Sequence, residues 1–195
     1  MAKKGDRKLA ILEALARELQ ERPGERITTA ALARAVGVTE AALYRHFPSK
    51  ARMFEGLIQF AEDSLFSRIN LIMEEERNTV NRIRSMLYLL LGFADQNPGI
   101  VRVLLGQAVV GEHERLHDRT RALFDRLTAQ FRQVLRESKI RADVELSTTP
   151  EQAASFLVAY VEGRMQEFLR SQFKHPISHE WSADWLIIER GLFFP

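Results

Sequence analysis

Apolar residues recur at three- and four-residue spacing along most of the chain, and no stretch sustains the two-residue alternation of a half-buried strand. The pattern predicts an all-α protein. A first helix is expected from about Asp6 to Glu21, with Leu9, Leu12, Ala16 and Leu19 on one face, ended by Arg22-Pro23-Gly24. Two short helices follow at about Thr29–Val36 and Thr39–Phe47. Pro48-Ser49 opens a long fourth helix to about Glu76, with Met53, Leu57, Phe60, Leu65 and Ile69 as core candidates. A fifth is expected at about Thr79–Asp95. A sixth starts at the Asn97-Pro98 cap and runs to about Val110, and a seventh covers about Glu112–Lys139. Thr149-Pro150-Glu151-Gln152 combines a capping hydroxyl, a proline in the first helical position and a glutamine three residues after the cap. An eighth helix from there to about Phe173 and a ninth at about Trp181–Leu192 complete the pattern. The expected linkers are the turn Phe47–Ser49 and the polar stretch Ile140–Thr148.

The second and third helices have the spacing of a helix-turn-helix. Ala33 is small where the second helix of the pair must cross the first, and Gly37 supplies a turn residue tolerant of positive φ. Leu32, Val36, Val38, Leu43 and Phe47 form the expected shared core. Thr39, Ala42, Tyr44, Arg45 and His46 then face outward, as short or polar groups suited to a major groove. Thr28, Thr29 and Lys50 flank the motif, where hydroxyls and an ammonium can hold phosphates. An ordinary helical hairpin is the alternative; the glycine, the small residue and the apolar positions together favour DNA.

Charge sharpens this reading. Residues 1–52 carry eleven Lys and Arg against six Asp and Glu, whereas the rest carries seventeen against twenty, so a net of +2 conceals a basic N-terminal unit. The division expected from this is a DNA-binding domain over residues 1–50 and a helical body over 51–195. The chain has no cysteine, which excludes a disulfide framework, a thiolate metal site and a thiol nucleophile, and fits a reducing compartment. No signal peptide or membrane span is expected from the charged start and the short apolar runs, so a cytoplasmic protein is the default.

Other features are weaker. His113-Glu114-Arg115-Leu116-His117 has the zinc-protease spacing, but no third ligand is evident and Glu112, Asp118, Arg119 and Arg121 mark a solvated face. No metal, cofactor or catalytic activity is expected. Tyr88, Phe93, Phe124, Phe156, Tyr160 and Met165 could line an effector pocket or simply form core. Ala153, Phe156, Leu157, Tyr160, Val161 and Arg164 form a broad stripe on the eighth helix. With Trp185, Ile188 and Leu192 this is more apolar surface than a monomer should expose, and a four-helix dimer interface would bury it.

Ile27-Thr28-Thr29, Leu32-Ala33, Val36-Gly37-Val38 and Ala42-Leu43-Tyr44-Arg45-His46-Phe47-Pro48-Ser49-Lys50 resemble the DNA-binding domain of the TetR family of regulators. The resemblance implies a three-helix head, a six-helix body and a homodimer built from the last two helices. It continues through Arg52-Met53-Phe54, Glu62-Asp63-Ser64-Leu65, Arg68–Ile72, Leu89–Phe93, Asn97-Pro98-Gly99 and Gln133–Glu137. These segments resemble the nucleoid occlusion members of that family. That implies a nucleoid-associated protein bound to palindromic duplex DNA, with several dimers on one site, that antagonises FtsZ ring assembly. Carried over by position, Phe60, Arg68, Leu89, Gly92 and Asn97 match the FtsZ-facing surface, while Gln96 stands where a basic residue is expected. Read from pattern alone, Phe60 and Leu89 are core positions and Arg68 a solvated charge. A ligand-responsive repressor on the same fold is the alternative function.

Overall fold

The computed structural model describes residues 4–22, 25, 27–109 and 114–194. Among them are nine α-helices: α1 (Lys4–Glu21), α2 (Thr29–Val36), α3 (Glu40–His46), α4 (Lys50–Glu75), α5 (Thr79–Gln96), α6 (Pro98–Leu104), α7 (Glu114–Arg141), α8 (Pro150–Arg170) and α9 (Trp181–Leu192). Two two-residue strands, β1 (Glu145–Leu146) and β2 (Phe193–Phe194), pair antiparallel, with Glu145 opposite Phe194. Strand β1 lies inside the stretch expected to be a plain linker, and β2 directly follows the expected end of the ninth helix. Two residues are too few for an alternating pattern to register.

The contacts divide the chain into two compact units, Met1–Glu62 with Asn97–Thr120, and Asp63–Gln96 with Arg121–Pro195. In the first, Ile11, Leu15 and Leu19 of α1 are buried together with Leu32, Leu43, Met53 and Leu57. Val36 and Val38, expected in the same core, are only partly covered. Helix α6 packs on α1 so closely that a Cβ on Gly99 would lie 1.9 Å from the Ala16 carbonyl oxygen. Arg102 of α6 is 2 % exposed. Its guanidinium donates to the carbonyl oxygens of Leu19 at 2.6 Å and Arg22 at 2.9 Å, and to Gln107 Oε1 at 2.7 Å. Carbonyls at a helix C-terminus lack intrahelical partners, and Arg102 satisfies those of α1 from far along the chain. Burial lowers its own pKa from the usual arginine range. Helix α6 stops at Leu104, short of the expected Val110, because Gly106 turns the chain at φ 79° into a short 3-10 segment, Gln107–Val109; Val110 and Glu112 lie outside the described residues.

In the second unit, Ile83, Met86, Leu87, Leu90 and Leu91 of α5 are buried, as are Leu157, Val161, Met165 and Phe168 of α8 and Trp185 and Ile188 of α9. Asp143 joins the unit by capping α5: its carboxylate accepts from the Thr79 N–H at 2.8 Å and the Thr79 hydroxyl at 3.0 Å. Asp95 accepts from the backbone N–H groups of Ile177 and Ser178 at 2.8 and 3.0 Å, fixing the segment that leads into α9. Among the described residues no helix is long and apolar enough to cross a membrane.

Candidate functional site

The helix-turn-helix is set by local chemistry. Thr28 caps α2, its hydroxyl oxygen accepting from the Ala31 N–H at 3.2 Å, and Thr39 caps α3 in the same way from Ala42. Gly37 ends α2 in the left-handed region at φ 70°, and its N–H bonds back to the carbonyls of Ala33 and Arg34. Ala33, Leu32, Leu43 and Phe47 are buried, which fixes α3 against α2. Ser49 then caps α4 by accepting from the Arg52 N–H at 3.2 Å.

This frame leaves a polar outer face. Tyr44 is 41 % exposed, Arg45 is exposed, and Ala42 is partly covered. A capping threonine oxygen accepts one bond and keeps its own O–H to donate. Thr28 and Thr39 therefore retain a donor for a phosphate oxygen. Thr29 differs: its hydroxyl donates to Glu40 Oε2 at 2.7 Å. His46, expected to face outward, is half-buried, with Nδ1 shut off from solvent. His46 is the last residue of α3. The Lys50 ammonium lies 5.5 Å from the centroid of the Phe54 ring. Replacing Lys50 with alanine should weaken specific and non-specific DNA alike and shallow the salt dependence of log K by roughly one unit. Titration across a salt series checks this, and a change in base preference alone would contradict it.

A second candidate surface lies on the outer face of α5. Leu89 and Gly92 are partly exposed, and Arg68 of α4 is exposed. With Ser64, Phe93 and Gln96 they line an open groove of about 420 Å³. A Cβ on Gly92 would meet nothing within 4 Å, so the glycine serves no internal close approach. Phe60, a core candidate by spacing, is 41 % exposed, while Met53, Leu57, Leu65 and Ile69 are buried. The helical spacing of Phe60 could not separate it from them. Asn97 precedes α6 and is half-buried; its side chain makes no capping bond.

Of the expected dimer residues, Phe156 is exposed, and the others are covered or partly covered within the protomer. Leu157, Val161, Trp185 and Ile188 are no more than 4 % exposed within the protomer, so they have almost no surface to give a partner. Arg164 is engaged internally, donating to Glu167 at 2.8 Å and to the Ile177 carbonyl at 3.2 Å. The Tyr160 hydroxyl donates to Asp184 at 2.7 Å; burial, then this bond, pushes its pKa well above the ordinary tyrosine value. What α8 and α9 present outward is Phe156 at 50 %, Leu186 at 44 % and Ile187 at 72 % exposure. The six aromatic and methionine residues weighed as an effector pocket do not line one chamber: Tyr88 and Phe156 are exposed, and Met165 is buried. Of the zinc-like spacing, His113 lies outside the described residues, and His117 is half-buried beside Gly106. Among the described residues no cluster of His, Asp or Glu could hold a metal ion.

A capped helix-turn-helix on a helical body defines a TetR-type regulator. Residues 11–57 match the model of bacterial regulatory proteins of the tetR family. The fold agrees with the fatty acid degradation regulator FadR from Bacillus halodurans at a TM-score of 0.82, 13 % identity and 96 % coverage of both chains. It also agrees with the TetR family transcriptional regulator PfmR from Thermus thermophilus, at a TM-score of 0.78 and 22 % identity over 93 % of this chain and 97 % of that one. Residues 77–193 match the SlmA-like tetracyclin repressor-like C-terminal domain. The nucleoid occlusion factor SlmA of Idiomarina loihiensis is 50 % identical over 97 % of this chain and 96 % of its own length. That of Shewanella amazonensis is 52 % identical over 93 % and 92 %. The chain belongs to the SlmA family.

Proposed function

We propose that this chain is a nucleoid occlusion factor: a homodimer that binds palindromic duplex DNA through α2 and α3 and, from the chromosome, antagonises assembly of the FtsZ ring. The observation that carries the partner half is the groove on α5. Arg68, Leu89 and Gly92 are named by resemblance to the family, and all three line one open groove. The uncovered Gly92 lets a partner backbone approach the helix closely. The DNA half rests on Thr28, Thr39, Tyr44, Arg45 and Lys50 around a fixed recognition helix. Two such helices in a dimer, about one turn of DNA apart, read the two halves of a palindrome, and several dimers share one site. Protein held on an immobilised palindromic duplex should retain FtsZ, and the duplex alone should not. Equal retention by both contradicts the proposal.

The dimer forms through the outward face of α8 and α9. Phe156→Glu with Ile187→Glu places charge in that apolar contact and should yield folded monomers by analytical ultracentrifugation. Leu157→Glu should instead unfold the protomer, because its side chain is fully buried. A dimer unchanged by the Phe156/Ile187 pair places the interface elsewhere.

A further inference from the structure

The groove on α5 does not end at Tyr88. Ser85 and Tyr88 line it and also line a second basin of about 520 Å³ that reaches Arg84, Trp181 and Ser182. None of the positions named by resemblance to the family lies in that basin. Its chemistry is distinct. Tyr88, 55 % exposed, and Trp181 form an aromatic wall, with ring centroids 6.1 Å apart. The Arg84 guanidinium lies 6.0 Å from the Trp185 ring and has no carboxylate within ion-pairing distance among the described residues. Glu76, the carboxylate lining the basin, is already committed. It accepts from the backbone N–H groups of Arg77 and Asn78 at 2.7 and 2.8 Å and from the Asn81 side chain at 3.1 Å. With Gln96 neutral, Arg68 and Arg84 are the cations lining the two basins.

From Asn81 to Gln96 the outer face of α5 is about 22 Å long at the rise of an α-helix. An extended peptide of about seven residues spans that length. Building on the partner proposed above, we infer that the FtsZ segment held beside Arg68 and Gly92 is extended and acidic and runs on past Tyr88. It places a carboxylate against Arg84 and an apolar or aromatic side chain against Tyr88 and Trp181. Opposite charge and an aromatic wall together suit such a segment, because the ring faces take its apolar side chain while the flanking guanidinium takes its carboxylate.

The test compares FtsZ binding by the full-length protein and three variants, with melting temperature and affinity for palindromic DNA measured on each. Arg84→Glu reverses the charge of the second basin, and Ser182→Trp fills it with bulk from an exposed position. Each should weaken FtsZ binding about tenfold at unchanged melting temperature and DNA affinity. Arg68→Asp serves as the control in the first groove. If Arg84→Glu melts early, Ser182→Trp decides alone. If Arg68→Asp loses FtsZ while both second-basin variants bind as wild type, the extended track is wrong and the partner reading stands. If Arg68→Asp also binds as wild type, or the unmodified protein does not bind FtsZ, both are wrong.

Discussion

Arg68→Asp should give a protein that folds, dimerises and holds its DNA site but no longer disassembles FtsZ polymers. Arg68 is exposed, lines the α5 groove and makes no ion pair among the described residues, so its removal costs the fold little. Against the acidic segment inferred above, the reversal would replace attraction with repulsion. Like charges across an interface cost several kcal/mol, so affinity should fall by about a hundredfold or more. The position lies beyond α3, so affinity for the specific duplex should stay within about twofold of wild type. Thr28→Ala with Tyr44→Ala should do the converse in cells, leaving a partner-competent body that is not placed on the chromosome. Dimer state must be unchanged in both, with melting temperature unchanged in Arg68→Asp and lowered by no more than the roughly 2–4 °C that loss of the Thr28 cap costs in the other. A folded, DNA-bound Arg68→Asp protein that still acts on FtsZ as wild type does would remove Arg68 from the interface.

Gly99→Ala should be a strongly damaging small substitution in the first compact unit. The added methyl would meet the Ala16 backbone oxygen at 1.9 Å, and a backbone carbonyl inside α1 cannot rotate away as a side chain can. Overpacking at such a site costs about 3 kcal/mol. At this chain length that corresponds to a fall of roughly 6–12 °C in melting temperature. The Arg102 bonds to the end of α1 depend on the same close packing and should loosen with it. DNA affinity should therefore drop too, although Gly99 carries no DNA contact. Calorimetry together with DNA titration checks both effects. A melting temperature within about 2 °C of wild type would show that α6 can move away from α1 without loss.

Much of the architecture was legible because it is local. Gly37, the Thr149-Pro150 cap and the threonines before α2 and α3 act within four residues of themselves, so their spacing along the chain carries the information. The dimer face was not legible. Helices α8 and α9 are apolar around much of their circumference, and periodicity cannot say which stripe packs inside the protomer and which is left for a partner. Leu157 and Phe156 are neighbours with opposite fates. Phe60 illustrates the same limit, since it shares the helical rhythm of buried Leu57 and Leu65 yet stands exposed. Arg102 carried a signal, a charge inside the apolar run Ile100–Leu105, but its partners are backbone carbonyls far away in the chain. Asp143 gave no signal beyond a polar stretch, because its role as the cap of α5 is set by tertiary packing.

The central claim, that a DNA-bound TetR-type body acts on FtsZ, is tested most directly by sedimenting FtsZ polymers in the presence of this protein, with and without its palindromic duplex. The account predicts less FtsZ in the pellet when the protein is present and a greater loss when the duplex is added, with the duplex alone having no effect. An unchanged pellet at every protein concentration and full DNA occupancy would contradict it.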